Sequence, residues 1–102
     1  MRPKKLDDAA VGTWLGAHPG WERVDTGGRP ALARAFKFPD FGTALAFVVR
    51  VGLAAEKNDH HPDVELGWGR ARVSWTTHDA GGVTDLDLRL AEVCDTFVGP
   101  AS

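Results

Sequence analysis

The stretch from Asp40 to Pro62 most limits what this chain can become. Phe41, Ala44, Leu45, Val48, Val51, Gly52 and Ala55 recur there at helical spacing. A second row, Phe47, Leu53 and Ala54, makes the same helix apolar on more than one side. Pro39-Asp40 is a helix-start signal with Asp40 as N-cap, so the helix is expected from Phe41 to about Asn58. Such a helix needs cover on two sides, from a sheet and from another subunit. At 102 residues there is room for one core, so a single domain over 1–102 is expected around it.

The flanks supply the sheet. Asp7 can cap a first helix over Asp8 to Ala17, with Ala10, Val11, Trp14 and Leu15 on one face. Gly12 and Gly16 each cost that helix roughly 1 kcal/mol against alanine, so packing must hold it. Gly20–Val24 and Ala31–Phe38 read as a strand pair around the turn at Thr26–Pro30, with Arg34 the odd member of the row Leu32, Phe36, Phe38. Val64–Trp68 and Ala71–Thr77 read as a second pair around Gly69-Arg70. Asp79–Gly82 is loop, and Thr84 with Asp87 fits a capping box opening a last helix through about Val98. Gly99–Ser102 reads as a fraying tail. The expected fold is therefore α+β: a four-stranded antiparallel sheet with three helices on one face, in the order α-β-β-α-β-β-α.

The central helix ends in a crowd of titratable groups, Glu56-Lys57-Asn58-Asp59-His60-His61-Pro62, and His78 stands at the end of the last strand. If the helix reaches its expected end, Glu56 and His60 lie four apart on one face with Asp59 beside them. A carboxylate beside an imidazole favours the charged ring, and a ring near neutrality can give and take a proton. Pro62 disfavours helical geometry at His61, so the two adjacent rings should diverge. Three readings stay open on spacing alone. The histidines could ligate zinc, although no His-Glu-x-x-His or paired-cysteine spacing is present. They could be idle surface groups favoured by a helix C-terminus. They could be metal-free acid/base groups.

Other chemistries fit poorly. Cys94 falls on the apolar stripe of the last helix, where a buried structural thiol is expected. Ser74 lies mid-strand with no elbow around it, and the double glycines fit turns rather than a phosphate loop. A net charge of −2 gives no general pull toward nucleic acid or anionic membrane. The apolar run Phe41 to Ala55 is too short to span a bilayer and is interrupted by Arg50. The basic residues of Met1–Lys5 precede Leu6-Asp7-Asp8 where a signal peptide needs an apolar stretch, so a cytoplasmic protein is expected.

Taken together, Glu56-x-x-x-His60-His61-Pro62, the aromatic Trp68, His78 ten residues later and Asp87 resemble the signature of the pterin-4a-carbinolamine dehydratases. The similarity extends through Gly20-Trp21, Leu32-x-Arg34-x-Phe36-x-Phe38-x-Asp40-Phe41 and Thr77–Gly82, from Leu6 to Val98. The resemblance implies dehydration of a 4a-hydroxytetrahydropterin, left by an aromatic amino acid hydroxylase, to a quinonoid dihydropterin that a reductase recycles. It implies no metal and no organic cofactor. Carried over by position, His60, His61 and His78 form the catalytic set. Glu56 orients or charges His60 and, with Asp59 and Trp21, contacts the pterin. Trp21 fits a core position as well, Trp68 reads as packing, and Asp87 is explained by its capping box. A homodimer or homotetramer is implied. The alternative is a binding module, since some relatives act as dimerization cofactors of a homeodomain transcription factor or as assembly factors. Relatives often carry an Asn-Val-Tyr-Asn-like run where this chain has Asp63–Gly69, which bears on the strand edge more than on the chemistry.

Overall fold

The computed structural model describes residues 3–98; the tail expected at 99–102 lies outside the described residues. The elements are α1 (Asp8–Ala17), β1 (Glu22–Thr26), β2 (Arg29–Lys37), α2 (Phe41–Lys57), β3 (Asp63–Gly67), β4 (Arg70–Trp75), a 3-10 turn at His78–Ala80 and α3 (Asp85–Thr96). The four strands form one antiparallel sheet in the order β1-β2-β4-β3. The α+β architecture and the element order are those expected from the sequence.

Each helix begins where a side chain can take its free N–H groups. Asp7 accepts from the Ala10 amide at 2.8 Å and Asp40 from the Thr43 amide at 2.7 Å. The Thr43 backbone bond, with a smaller contribution from its side chain, holds the Asp40 carboxyl below the usual carboxylate range. At the hairpins, Gly27 (φ 58°), Gly28 (φ 84°) and Gly69 (φ 68°) take left-handed backbone that other residues rarely adopt. The first turn is tighter than expected, Gly27-Gly28 alone, while the second has the expected two residues but lies one position earlier. β1 starts at Glu22 because the Trp21 amide is spent on the His18 carbonyl at 3.0 Å. The second hairpin turns at Trp68-Gly69, which leaves Trp68 73% exposed at the tip rather than packed. A Cβ at Gly67 would stand 2.8–2.9 Å from the guanidinium of Arg70, an exposed side-chain end that can move aside.

Register decides which sheet face is covered. Leu32 pairs with Trp75, Arg34 with Val73 and Phe36 with Ala71, so these side chains share one face. Val11 of α1, Phe47, Val51 and Ala55 of α2, and Leu90, Ala91 and Cys94 of α3 join that face in one buried cluster. Ala10 stays exposed, so the apolar stripe of α1 is narrower than its sequence suggests. Arg34, within the apolar row, is held at 2.6 Å by Asp95 of α3 and lies 4.5 Å from the centre of the Phe36 ring. The α2 faces sort differently from the two rows read in sequence. Phe47 points inward with Ala44, Val51 and Ala55, while Phe41, Leu45, Val49 and Leu53 form an exposed stripe four residues apart.

Cys94 tests this packing. Burial pushes its thiol up to about 12. The unfolded chain loses that proton near its ordinary value of 9.0 and the folded chain does not, so this group's contribution to stability falls as pH rises from there toward 12. The native protein at pH 8 should leave Cys94 unreacted with a thiol reagent such as dithionitrobenzoate, and one thiol should titrate on denaturation. Rapid reaction of the native thiol would contradict the packing.

Candidate active site

The end of α2 fixes where the first histidine goes. Asn58 caps the helix, and Asp59 follows in left-handed backbone at φ 48°, the one non-glycine residue with positive φ among the described residues. The Asp59 amide then bonds the Glu56 carbonyl at 3.2 Å and the His60 amide bonds the Ala55 carbonyl at 3.1 Å. These two bonds are a Schellman closure, usually built on glycine; aspartate is among the few residues that tolerate it. The chain therefore reverses at Asp59, and His60 never occupies the helical position four residues beyond Glu56.

That reversal re-sorts the expected partners. The Glu56 carboxylate lies 2.7 Å from Nε2 of His61, with both side chains largely in solvent at 78% and 58% exposure. An exposed pair of this kind contributes about 0–1 kcal/mol. His60 turns inward, its side chain only 13% exposed, and its Nε2 lies 2.6 Å from Oδ1 of the fully buried Asp87. The His60 ring also lies nearly parallel to Trp75, with centroids 5.8 Å apart and planes 15° from coincident. The expectation that Glu56 orients His60 is thus replaced: Asp87 does so, because the left-handed turn swings His60 away from its helix.

Asp87 does two jobs with two oxygens. Its Oδ2 completes the capping box at the start of α3, accepting the Thr84 amide at 2.8 Å, and also accepts the Thr77 hydroxyl at 2.7 Å. Its Oδ1 faces His60. With hydroxyl and amide donors converging on the carboxylate as acceptor, the bond to His60 is donated by Nε2–H. Nδ1 is then the nitrogen left to exchange a proton with anything bound beside the ring. Capping explains one oxygen of Asp87; the other completes a buried histidine–carboxylate pair.

A cleft opens on this pair. Its larger lobe, about 530 Å³, is lined by Pro3, Asp59, His60, Thr77, Asp79, Ala80 and Leu86. A smaller lobe of about 280 Å³ shares Asp59, His60, Thr77 and Asp79 and adds His61, Thr76 and His78. All three expected histidines therefore meet at the smaller lobe, with Asp59 on its wall. Glu56 is not among the lining residues and reaches the site through His61. Trp21 stands elsewhere, in the core: it is 3% exposed, its indole N–H points to both Asp95 oxygens at 3.1 Å, and Phe36 meets it edge-on. Sequence reasoning passed over Pro3, Thr76, Thr77, Ala80 and Leu86 as cleft walls, since none carries a titratable group, and also Asp79, which it read only as loop. Among the described residues, no three His, Cys, Asp or Glu side chains converge as a metal site requires, and no helix is long and apolar enough to cross a membrane.

Comparison with known proteins converges on one family. Residues 4–97 match the family model for pterin 4 alpha carbinolamine dehydratase. A provisionally named pterin-4-alpha-carbinolamine dehydratase of Rhizorhabdus wittichii is 44% identical over 97 residues, covering 95% of this chain and 98% of that protein. A similarly named protein of Nitrobacter winogradskyi is 47% identical over 94 residues, 92% of this chain and 91% of the relative. The crystal structure of a transcriptional coactivator/pterin dehydratase from Brucella melitensis superposes with a TM-score of 0.85 at 38% identity, over 94% of this chain and 100% of that one. A pterin dehydratase-like protein identified as a RuBisCO assembly factor shares the fold, with a TM-score of 0.66 at 18% identity over 80% of this chain and 93% of that one.

Proposed function

Because the chain belongs to the pterin-4a-carbinolamine dehydratase family, we propose that it removes water from a 4a-hydroxytetrahydropterin by histidine acid/base catalysis. The observation that carries this reading is the buried Asp87–His60 bond at the cleft lobe that also holds His61 and His78. In the reaction the C4a–O bond breaks, the departing oxygen takes a proton and leaves as water, and N5 gives up its proton to yield the quinonoid dihydropterin. One acid and one base are needed, and imidazoles serve as either near neutral pH. His60 exchanges its proton at Nδ1 while Asp87 holds Nε2–H and stabilises the charged ring when it forms. His78, on the turn after β4, is the second proton-transfer group. His61, paired with Glu56 at the rim, contacts substrate, and Asp59 lines the wall beside it. The reaction needs no metal or organic cofactor, and its substrate is left by a pterin-dependent hydroxylase acting on aromatic amino acids.

The same reading includes self-association. Phe41, Leu45, Val49 and Leu53 give α2 an exposed apolar stripe, each residue 42–67% exposed, and a second copy presenting the same stripe would cover it. A binding role is the second reading, favoured by that stripe and by the coactivator name of the Brucella relative. It is compatible with catalysis.

Two measurements separate these readings. Purified protein should accelerate breakdown of the 4a-carbinolamine, and His60→Ala or His78→Ala should each lower turnover by about 10²–10⁴-fold. Wild-type turnover in both variants would sink the assigned roles; no turnover in the wild type would leave the binding reading. Light scattering at micromolar concentration should give a dimer or tetramer, and Leu45→Glu with Val49→Glu should give a monomer. A monomeric wild type would refute the second-copy interface.

A further inference from the structure

Thr77 follows β4 and carries no charge, yet both candidate catalytic histidines depend on it. Its main chain closes the turn that bears His78. The Thr77 amide donates to the Gly82 carbonyl at 2.9 Å, and the Thr77 carbonyl accepts from the amides of Ala80 at 3.1 Å, Gly81 at 3.0 Å and Gly82 at 3.3 Å. Its side chain serves the other histidine. The hydroxyl is buried, 2.7 Å from Oδ2 of Asp87 and 2.9 Å from the Thr84 hydroxyl.

Counting protons orders these contacts. A threonine hydroxyl has one proton to give and lone pairs to receive another. Asp87 as a carboxylate can only accept, and of the two hydroxyls near Oδ2 that of Thr77 is closer, at 2.7 Å against 3.3 Å for Thr84. The Thr77 proton therefore goes to Oδ2, and the Thr84 hydroxyl, 2.9 Å from that of Thr77, donates there. The Thr84 amide reaches the same Oδ2 at 2.8 Å. Two short donors on one oxygen fix the rotation of the carboxylate about its Cβ–Cγ bond, and the remaining oxygen is aimed at His60. The Thr84 amide serves the helix cap whether or not His60 is present. The Thr77 hydroxyl is supplied from β4's end, outside α3, and has no capping duty.

We propose that Thr77 is a positioning residue: its hydroxyl orients Asp87 and, through it, the His60 ring, while its backbone anchors the turn that carries His78. The inference rests on the dehydratase reading for its effect on rate, and on hydrogen bonding alone for its effect on His60. Supporting groups of this type typically change activity by about 10–100-fold when lost.

The test is proton NMR of the His60 Nε2–H, assigned by its loss in His60→Gln, combined with carbinolamine turnover. Wild type should show a slowly exchanging downfield Nε2–H. Thr77→Val, which removes the hydroxyl at nearly constant shape, should shift or lose that signal and lower turnover roughly 10–100-fold, with the His78 ring resonances unmoved. Thr77→Ser should restore the signal and most of the rate. Thr77→Ala removes the same hydroxyl without added bulk and should match the valine variant, which guards against misfolding of either. A wild-type His60 signal in both Val and Ala variants would overturn the proposal, as would a serine variant as impaired as valine. If the wild type turns over no pterin, the dehydratase reading fails, and the NMR series still decides the role of Thr77.

Discussion

A carboxylate with no exposed surface has to be satisfied from inside the protein, and in this fold the bonds that satisfy Asp87 also build the cleft. Thr77 brings the end of β4, Thr84 brings the start of α3, and His60 brings the turn after α2. Removing one member of such a buried pair costs on the order of 3–5 kcal/mol, because the partner is left desolvated. The geometry at His60 is thus paid for by the core rather than by the exposed histidine–glutamate pair next to it.

The rest of the architecture delivers those groups. Packing α2 along the sheet through Ala44, Phe47, Val51 and Ala55 places its C-terminus beside the end of β4. The left-handed residue Asp59 then turns His60 back toward Trp75 and Asp87. Trp75 stacks beside the His60 ring and belongs to the same buried cluster as Cys94, so the ring rests on packed core. On the helix face turned away from the sheet, the stripe from Phe41 to Leu53 leaves apolar surface that the monomer does not bury.

Much of this was legible in the sequence, and the misses share a cause. Helical spacing, the caps at Asp7, Asp40 and Thr84, and the glycine turns gave the element order, because each signal is local. The pairing of Glu56 with His60 failed because it assumed helix through residue 60, and one positive φ at Asp59 broke that geometry. The hairpin edges moved by a residue or two: the first turn is tighter than its loop residues suggested, and the second lies one position earlier, which carried Trp68 out to the tip. Asp87 was visible as a capping residue since Thr84 lies three positions away. Its bond to His60 spans 27 positions, and no spacing rule reaches that far. The family signature includes Asp87, but in sequence the capping box alone explains it; the bond to His60 gives its second oxygen a role in the site.

Asp87→Asn, compared with wild type in the initial rate of 4a-carbinolamine dehydration, tests most directly whether this carboxylate sets the state of His60. The amide keeps the size of the side chain and an oxygen for the Thr84 cap, but it offers His60 an N–H group or a weaker acceptor and favours the other ring tautomer. With folding verified by circular dichroism, turnover should fall by about a hundredfold or more, as expected when a histidine loses the carboxylate that fixes its tautomer. A folded Asp87→Asn protein that dehydrates the carbinolamine at the wild-type rate would contradict the coupling of Asp87 to catalysis.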